Sequence, residues 1–181
     1  MSDAISPVSF EVNVLRLPAK GLRVTIEADA DQRAALARDH ALLEVRAFRA
    51  TLLVENWKRD GVKVTGRVEA DFVQACIVSL EPIDATVDDD VDGLFVPEGS
   101  KLARPDAIEG GEMLLDAEGE DGPEIFDGDT IDVGQLAEEF FVLGIDPYPK
   151  KPGAVPVAPP ADGDEDRGPL YEKLKALKDR G

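Results

Sequence analysis

One cysteine, one histidine and one tryptophan are all that this 181-residue chain holds of each. A single Cys76 excludes an internal disulfide, and one Cys with one His40 excludes a zinc site built from those two residue types alone. No stretch approaches the ~20 apolar residues of a membrane-spanning helix. The N-terminus, Met1-Ser2-Asp3-Ala4, has no basic run before an apolar one, so no signal peptide is expected. There is no P-loop, no G-x-G-x-x-G and no G-x-S-x-G, so the common phosphate cradles and the nucleophile elbow are missing. These absences lead to the expectation of a cytoplasmic protein that is not an enzyme and carries no cofactor.

Bases are scarce in one place. From Glu81 to Asp132 there are 18 Asp/Glu and only two bases, Lys101 and Arg104, a net charge of -16. Residues 1–80 carry 11 acids and 11 bases, residues 133–181 carry 9 acids and 7 bases, and the whole chain stands at -18. An acidic belt between two nearly neutral parts repels nucleic acid and membrane surfaces and attracts basic proteins and cations.

What is present is enough for one ordinary domain with appendages: 43% of residues are apolar, while 13 Pro and 16 Gly cluster outside the periodic segments. Alternation predicts a strand from Ile5 to Leu17 and another over Leu22–Glu27 with Leu22, Val24 and Ile26 on one face. Asp29 or Asp31 can cap a short helix through Gln32–Arg38. From Ala41 to Phe95 the chain is mostly β, with runs at Thr51–Trp57, Val62–Val68, Val73–Leu80 and Ile83–Val87, an expected meander of four to six strands. Asp60-Gly61 between two such runs is the signature of a type I′ hairpin. Asp132 with Gln135 has capping-box spacing ahead of a helix whose stripe is Leu136, Phe140, Phe141 and Leu143. The fold class is therefore α+β: an antiparallel β meander with two or three helices in a single domain over residues 1–149. An acidic mobile surface loop covers residues 97–127. A flexible linker, 150–168, leads to a C-terminal tail helix, 169–181, with Leu170, Leu174 and Leu177 on one face.

Several residue groups invite a chemical reading. Asp88-Asp89-Asp90-Val91-Asp92-Gly93 fits the first half of a calcium loop, but position twelve is Gly99, so charged side chains at a strand end explain it better. The carboxylates of Asp127–Asp132 are accounted for by helix capping. His40 beside a helix end reads as a solvated side chain, and Cys76 in a β run reads as a small buried thiol rather than a nucleophile. Hydrolysis by the loop carboxylates is remote, because solvated acids are not tuned for acid–base work. Trp57, Lys58 and Arg59 at the hairpin tip, with Lys63 and Arg67, could hold RNA phosphates and stack a base. Glu44, Glu55, Asp60 and Glu69 interleave with them and cancel much of that charge.

Three segments carry a resemblance. Val64-Thr65-Gly66-Arg67-Val68-Glu69-Ala70 leads into Gln74-Ala75-Cys76-Ile77-Val78-Ser79-Leu80-Glu81-Pro82; Asp129-Thr130-Ile131-Asp132-Val133-Gly134-Gln135-Leu136-Ala137-Glu138-Glu139 precedes Pro147-Tyr148-Pro149-Lys150; and Pro169-Leu170-Tyr171-Glu172-Lys173-Leu174-Lys175-Ala176-Leu177 closes the chain. In order and spacing these resemble the YceD family, the large ribosomal RNA subunit accumulation proteins. Many members carry Cys-x-x-Cys in the β region, where this chain has Ser79 as the second member. The resemblance implies a non-enzymatic role in 23S ribosomal RNA accumulation and large-subunit assembly, with a basic ribosomal protein of the large subunit, precursor 23S ribosomal RNA, or both as partners. The charge favours the protein, received on Asp88, Asp89, Asp90 and Asp92 with Leu94 and Phe95 as apolar anchors. The alternative is direct RNA binding by the Trp57 hairpin.

Overall fold

Long runs of alternating hydrophobicity become long antiparallel strands. The computed structural model describes residues 5–100, 102 and 122–155. In chain order the elements are β1 (Glu11–Asn13), a 3-10 turn (Val14–Arg16), β2 (Leu22–Glu27), α1 (Ala30–Asp39), β3 (Glu44–Trp57), β4 (Gly61–Ala75), β5 (Pro82–Pro97), β6 (Glu124–Phe126), β7 (Thr130–Asp132) and α2 (Val133–Leu143). The main sheet has the order β2-β3-β4-β5-β6; β2 to β5 are antiparallel neighbours, and only β6 pairs in parallel, with β5. β1 and β7 form a separate two-stranded antiparallel ribbon.

One face of the sheet is the core. Val24 and Ile26 of β2, Phe48, Ala50, Leu52 and Val54 of β3, and Val62, Val64, Val68, Ala70 and Phe72 of β4 are buried at every second position. Val87, Val91 and Phe95 of β5 continue the pattern. Two helices cover this face. α1 contributes Leu36 and Ala37, and α2 contributes Val133, Leu136, Ala137 and Phe141. The Phe141 ring meets Phe48 and Phe72 edge-on at centroid distances of 5.6 and 5.5 Å. Each such side chain is worth about 1.5–3 kcal/mol of burial, and the aromatic geometry adds up to about 1.5 kcal/mol.

Both helices start on an aspartate. Asp29 accepts from the Gln32 backbone and Gln32 answers to the Asp29 amide, a complete capping box. Asp132 caps α2 through the amides of Gly134 and Gln135, but the Gln135 side chain turns to Glu139 at 3.1 Å, so the reciprocal half expected there is absent. The α2 stripe is Val133, Leu136, Ala137 and Phe141; Leu143, expected within it, is 79% exposed.

The antiparallel α+β architecture with two helices is as expected, and several boundaries differ. The Ile5–Leu17 segment is not one strand. Pro7 lies in a turn, and the Asn13 side chain accepts from the Leu15 amide and starts the 3-10 turn. Residues 41–95 hold three strands of 14 to 16 residues rather than many short ones. β4 stops at Ala75, and Cys76 to Leu80 form the turn to β5, with Leu80 at φ +59. Asp60-Gly61 is not a type I′ turn. Trp57 pairs with Gly61 across a three-residue loop whose left-handed residue is Lys58, φ +52. Gly61 serves another need: a Cβ there would lie 2.7 Å from Cε3 of the Trp57 ring. Within the stretch expected to be an acidic loop, Glu124–Phe126 is a strand. Residue 101, residues 103–121 and the linker and tail helix beyond residue 155 lie outside the described residues.

Candidate functional site

The other face of the sheet has no helix over it among the described residues. It carries Arg23, Thr25 and Glu27 of β2, Arg49, Thr51 and Glu55 of β3, Lys63, Thr65, Arg67, Glu69 and Asp71 of β4, and Asp84, Thr86, Asp88, Asp90 and Asp92 of β5. Antiparallel register places these in rows. Arg67 lies opposite Asp90, Glu69 opposite Asp88 and Thr65 opposite Asp92.

The bases answer the acids across the strands. Lys63 meets Asp92 at 2.9 Å, Arg67 is shared between Asp88 and Asp90, the latter at 3.4 Å, Arg46 meets Asp84 at 2.9 Å, and Arg49 meets Glu27 at 3.5 Å. The hydrogen bond from Arg67 holds the Asp88 carboxyl below the usual carboxylate range. These pairs are exposed to solvent and screened by it, so each contributes little to stability. Two residue sets that the sequence suggested separately, the acidic row and the basic pair Lys63 and Arg67, thus share one surface and partly neutralise each other. The RNA-binding set is left with Trp57, Lys58 and Arg59. The Lys58 ammonium sits 4.1 Å from the Trp57 ring centroid, a cation–π contact that a stacking base would have to displace.

Two expected members of the acidic site stand elsewhere. Phe95 is 7% exposed and belongs to the core, because its position in the alternation points toward α2. It is not available as an anchor. Asp89 points to the helical side, where its carboxylate lies so close to Gly144 that a Cβ there would be 2.6 Å away. Leu94 is half-buried on the outer side, next to Asp92. The calcium half-motif is a regular strand with Lys63 and Arg67 on its carboxylates, and no group of three or more metal-ligating side chains occurs among the described residues.

Three features were not legible in the sequence. Glu124 of β6 and Glu139 of α2 stand near each other, and burial first, then the Glu139 charge, raises the Glu124 carboxyl. His40, expected to be solvated, is largely enclosed and bonds Glu138 at 2.7 Å, tying the end of α1 to α2. Cys76 is fully buried, and its sulfur accepts from the Lys151 amide at 3.4 Å and the Ser79 amide at 3.5 Å. The Lys151 amide first, then Ser79, pulls the thiol down to about 6 against the opposing effect of burial. With the Ile77 amide on the Pro149 carbonyl at 3.0 Å, this knuckle fastens residues 149–151 to the β4–β5 turn. A histidine or cysteine found alone in a sequence carries no signal of a partner 75 or 98 residues away.

Among the described residues no helix is long and apolar enough to cross a membrane. No curated protein and no solved structure matches the chain. A family model does match, over residues 64–178, which takes in most of β4, the acidic strand, the cysteine knuckle and α2. With more than half of its length matched, the chain belongs to the YceD family, described as large ribosomal RNA subunit accumulation protein.

Proposed function

We propose that this protein is a non-enzymatic ribosome biogenesis factor of the cytoplasm. It supports 23S ribosomal RNA accumulation by binding a basic ribosomal protein of the large subunit on its acidic strand. The observation that carries this reading is β5 itself. Asp84, Asp88, Asp90 and Asp92 follow one another on the uncovered face, and the cations that reach them, Arg46, Lys63 and Arg67, are fewer than the acids. The belt at net -16 extends that excess. A basic protein held there is shielded from RNA and from itself until assembly, and complementary charge speeds its capture. Binding of a purified basic large-subunit protein should weaken steeply between about 0.05 and 0.3 M salt. It should fall by about tenfold or more when Asp88, Asp89, Asp90 and Asp92 all become Asn. A complex indifferent to both changes would exclude the acidic strand.

The second reading, direct ribosomal RNA binding, draws on the loop that follows the part-exposed Trp57, where Lys58 and Arg59 are exposed and Arg59 forms no ion pair among the described residues. Replacing these three by Ala should cost a few kcal/mol of RNA affinity if the loop stacks a base and contacts phosphate. The same triple change should leave binding of the basic protein intact.

A further inference from the structure

β5 is paired on one side along nearly its whole length, from Pro82 opposite Ala75 to Phe95 opposite Val62. On its other side, among the described residues, only Phe95, Val96 and Pro97 are paired, with β6. In an antiparallel ladder every second residue turns its N–H and C=O away from the neighbour. The outward groups between Ile83 and Leu94 therefore face a side on which no backbone of the described residues meets them. At the Asp92–Leu94 end of this edge, next to β6, lies a groove of about 540 Å³ between the strand and α2. Asp92, Gly93 and Leu94 form one wall, and Leu136, Phe140 and the exposed Leu143 form the other.

An edge of this length, unpaired among the described residues, is a template for another strand. The acids decide which strand. A second copy of this chain would bring its own Asp88, Asp90 and Asp92 against the same row, and like charges facing each other across a ladder are destabilising. A lysine- or arginine-rich strand is matched instead. Its same-face side chains recur every two residues, about 6.8 Å, which is the pitch of Asp88, Asp90 and Asp92. The opposite edge of the sheet, β2, is also unpaired on its outer side among the described residues, but its row is Arg23, Thr25 and Glu27 and offers no such match.

We propose that the open edge of β5 accepts an extended, lysine- or arginine-rich segment of the protein partner as an added strand continuing the line of β6. One apolar side chain of that segment sits in the groove against Leu136, Phe140 and Leu143. This rests on the reading of the acidic strand as the landing site of a basic protein. It adds two things to it: main-chain pairing for affinity and an apolar pocket for specificity, the two components of recognition by strand addition.

The test uses the full chain and an acetylated, amidated nonapeptide of alternating Lys and Val, with a second peptide of the same sequence N-methylated at every backbone nitrogen. Charge and side chains are kept in the second peptide, and its backbone donors are lost. The unmethylated peptide should bind and slow amide hydrogen exchange at alternate residues between Ile83 and Leu94. The methylated one should bind at least about tenfold more weakly. Leu143→Asn should weaken the first peptide several-fold at an unchanged Tm, because Leu143 supports no core. Equal binding of the two peptides would overturn strand addition and leave a purely electrostatic landing site standing. Exchange protection on β2 in place of β5 would also overturn it. Failure of both peptides to bind would overturn it together with the reading of the acidic strand.

Discussion

Asp132 holds more of the structure than any other polar side chain described. It accepts from the Ser9 hydroxyl at 2.5 Å, the Phe10 amide at 2.8 Å, and the Gly134 and Gln135 amides at 2.9 and 3.0 Å. One carboxylate thereby caps α2 and pins the N-terminal segment over it. Gly134 makes this possible, since a Cβ there would lie 1.9 Å from the Val8 carbonyl oxygen. Burial alone would raise the Asp132 carboxyl, but the four hydrogen bonds outweigh it and hold the group below the usual range. Asp132→Ala should cost about 1–3 kcal/mol at neutral pH, from the lost cap and orphaned donors. A depressed carboxyl contributes stability above its unfolded value of about 3.9 and loses it as pH falls through the folded value. The gap between wild type and variant in urea unfolding should therefore shrink from pH 7 to pH 3. Cys76 acts in a higher window. Its folded value of about 6 lies below the unfolded ~8.5, so its contribution is complete above the latter and disappears as pH falls through the former. Unfolding midpoints of the wild type should rise between pH 6 and 8.5 relative to those of Cys76→Ala.

At the scale of elements, the β3–β4 hairpin dictates the geometry of the candidate face. Its strands run in register from Trp57 opposite Gly61 to Val45 opposite Phe72, with one bulge between Val45 and Ala47. From Ala47 to Trp57 the register is continuous, so the side chains there alternate reliably, and a slip of one residue would send Arg67 into the core. Gly66, opposite Leu52, keeps the two strands close: a Cβ there would fall 2.1 Å from the Thr51 carbonyl oxygen. Gly66→Ala should destabilise by about 1–3 kcal/mol, since the neighbour is backbone and cannot rotate away. Thermal unfolding measures the cost. A change of a few tenths of a kcal/mol would mean that the hairpin opens without strain. The loop at the other end tolerates more, because Trp57 and Lys58 are held mainly by each other and by Gly61.

For the molecule as a whole, repulsion within the belt sets the response to salt. Net charge is -18, and the ion pairs on the sheet face are exposed and weak. Screening shortens from about 30 Å at 0.01 M salt to about 10 Å at 0.1 M, which relieves repulsion among carboxylates several residues apart more than it weakens pairs at 3 Å. Tm should therefore rise with sodium chloride over that range in calorimetry. A fall would mean that the cross-strand pairs, Lys63 with Asp92 and Arg67 with Asp88 and Asp90, matter more than the excess of acids. Affinity for a basic partner should move the opposite way, so the two salt responses separate self-repulsion from attraction.

Composition and period were sufficient for the α+β class, the one-sided burial of the strands, Asp132 as the start of the second helix and the acidic row itself, since each depends on residues close together in the chain; for the first helix they left Asp29 and Asp31 as alternatives. Family membership was likewise legible from three motifs in order. What the tertiary structure alone decided is what faces what. Period 2 marks two faces but not which one the helices cover, so Phe95 read as an anchor and belongs to the core, while Leu143 read as core and stands exposed. Pairing across strands, set by register rather than sequence distance, put Lys63 and Arg67 onto the aspartates and left Trp57, Lys58 and Arg59 apart from them. The Cys76 knuckle with Lys151 and the His40–Glu138 link are long-range juxtapositions, and no local pattern encodes a partner that only the folded backbone brings near.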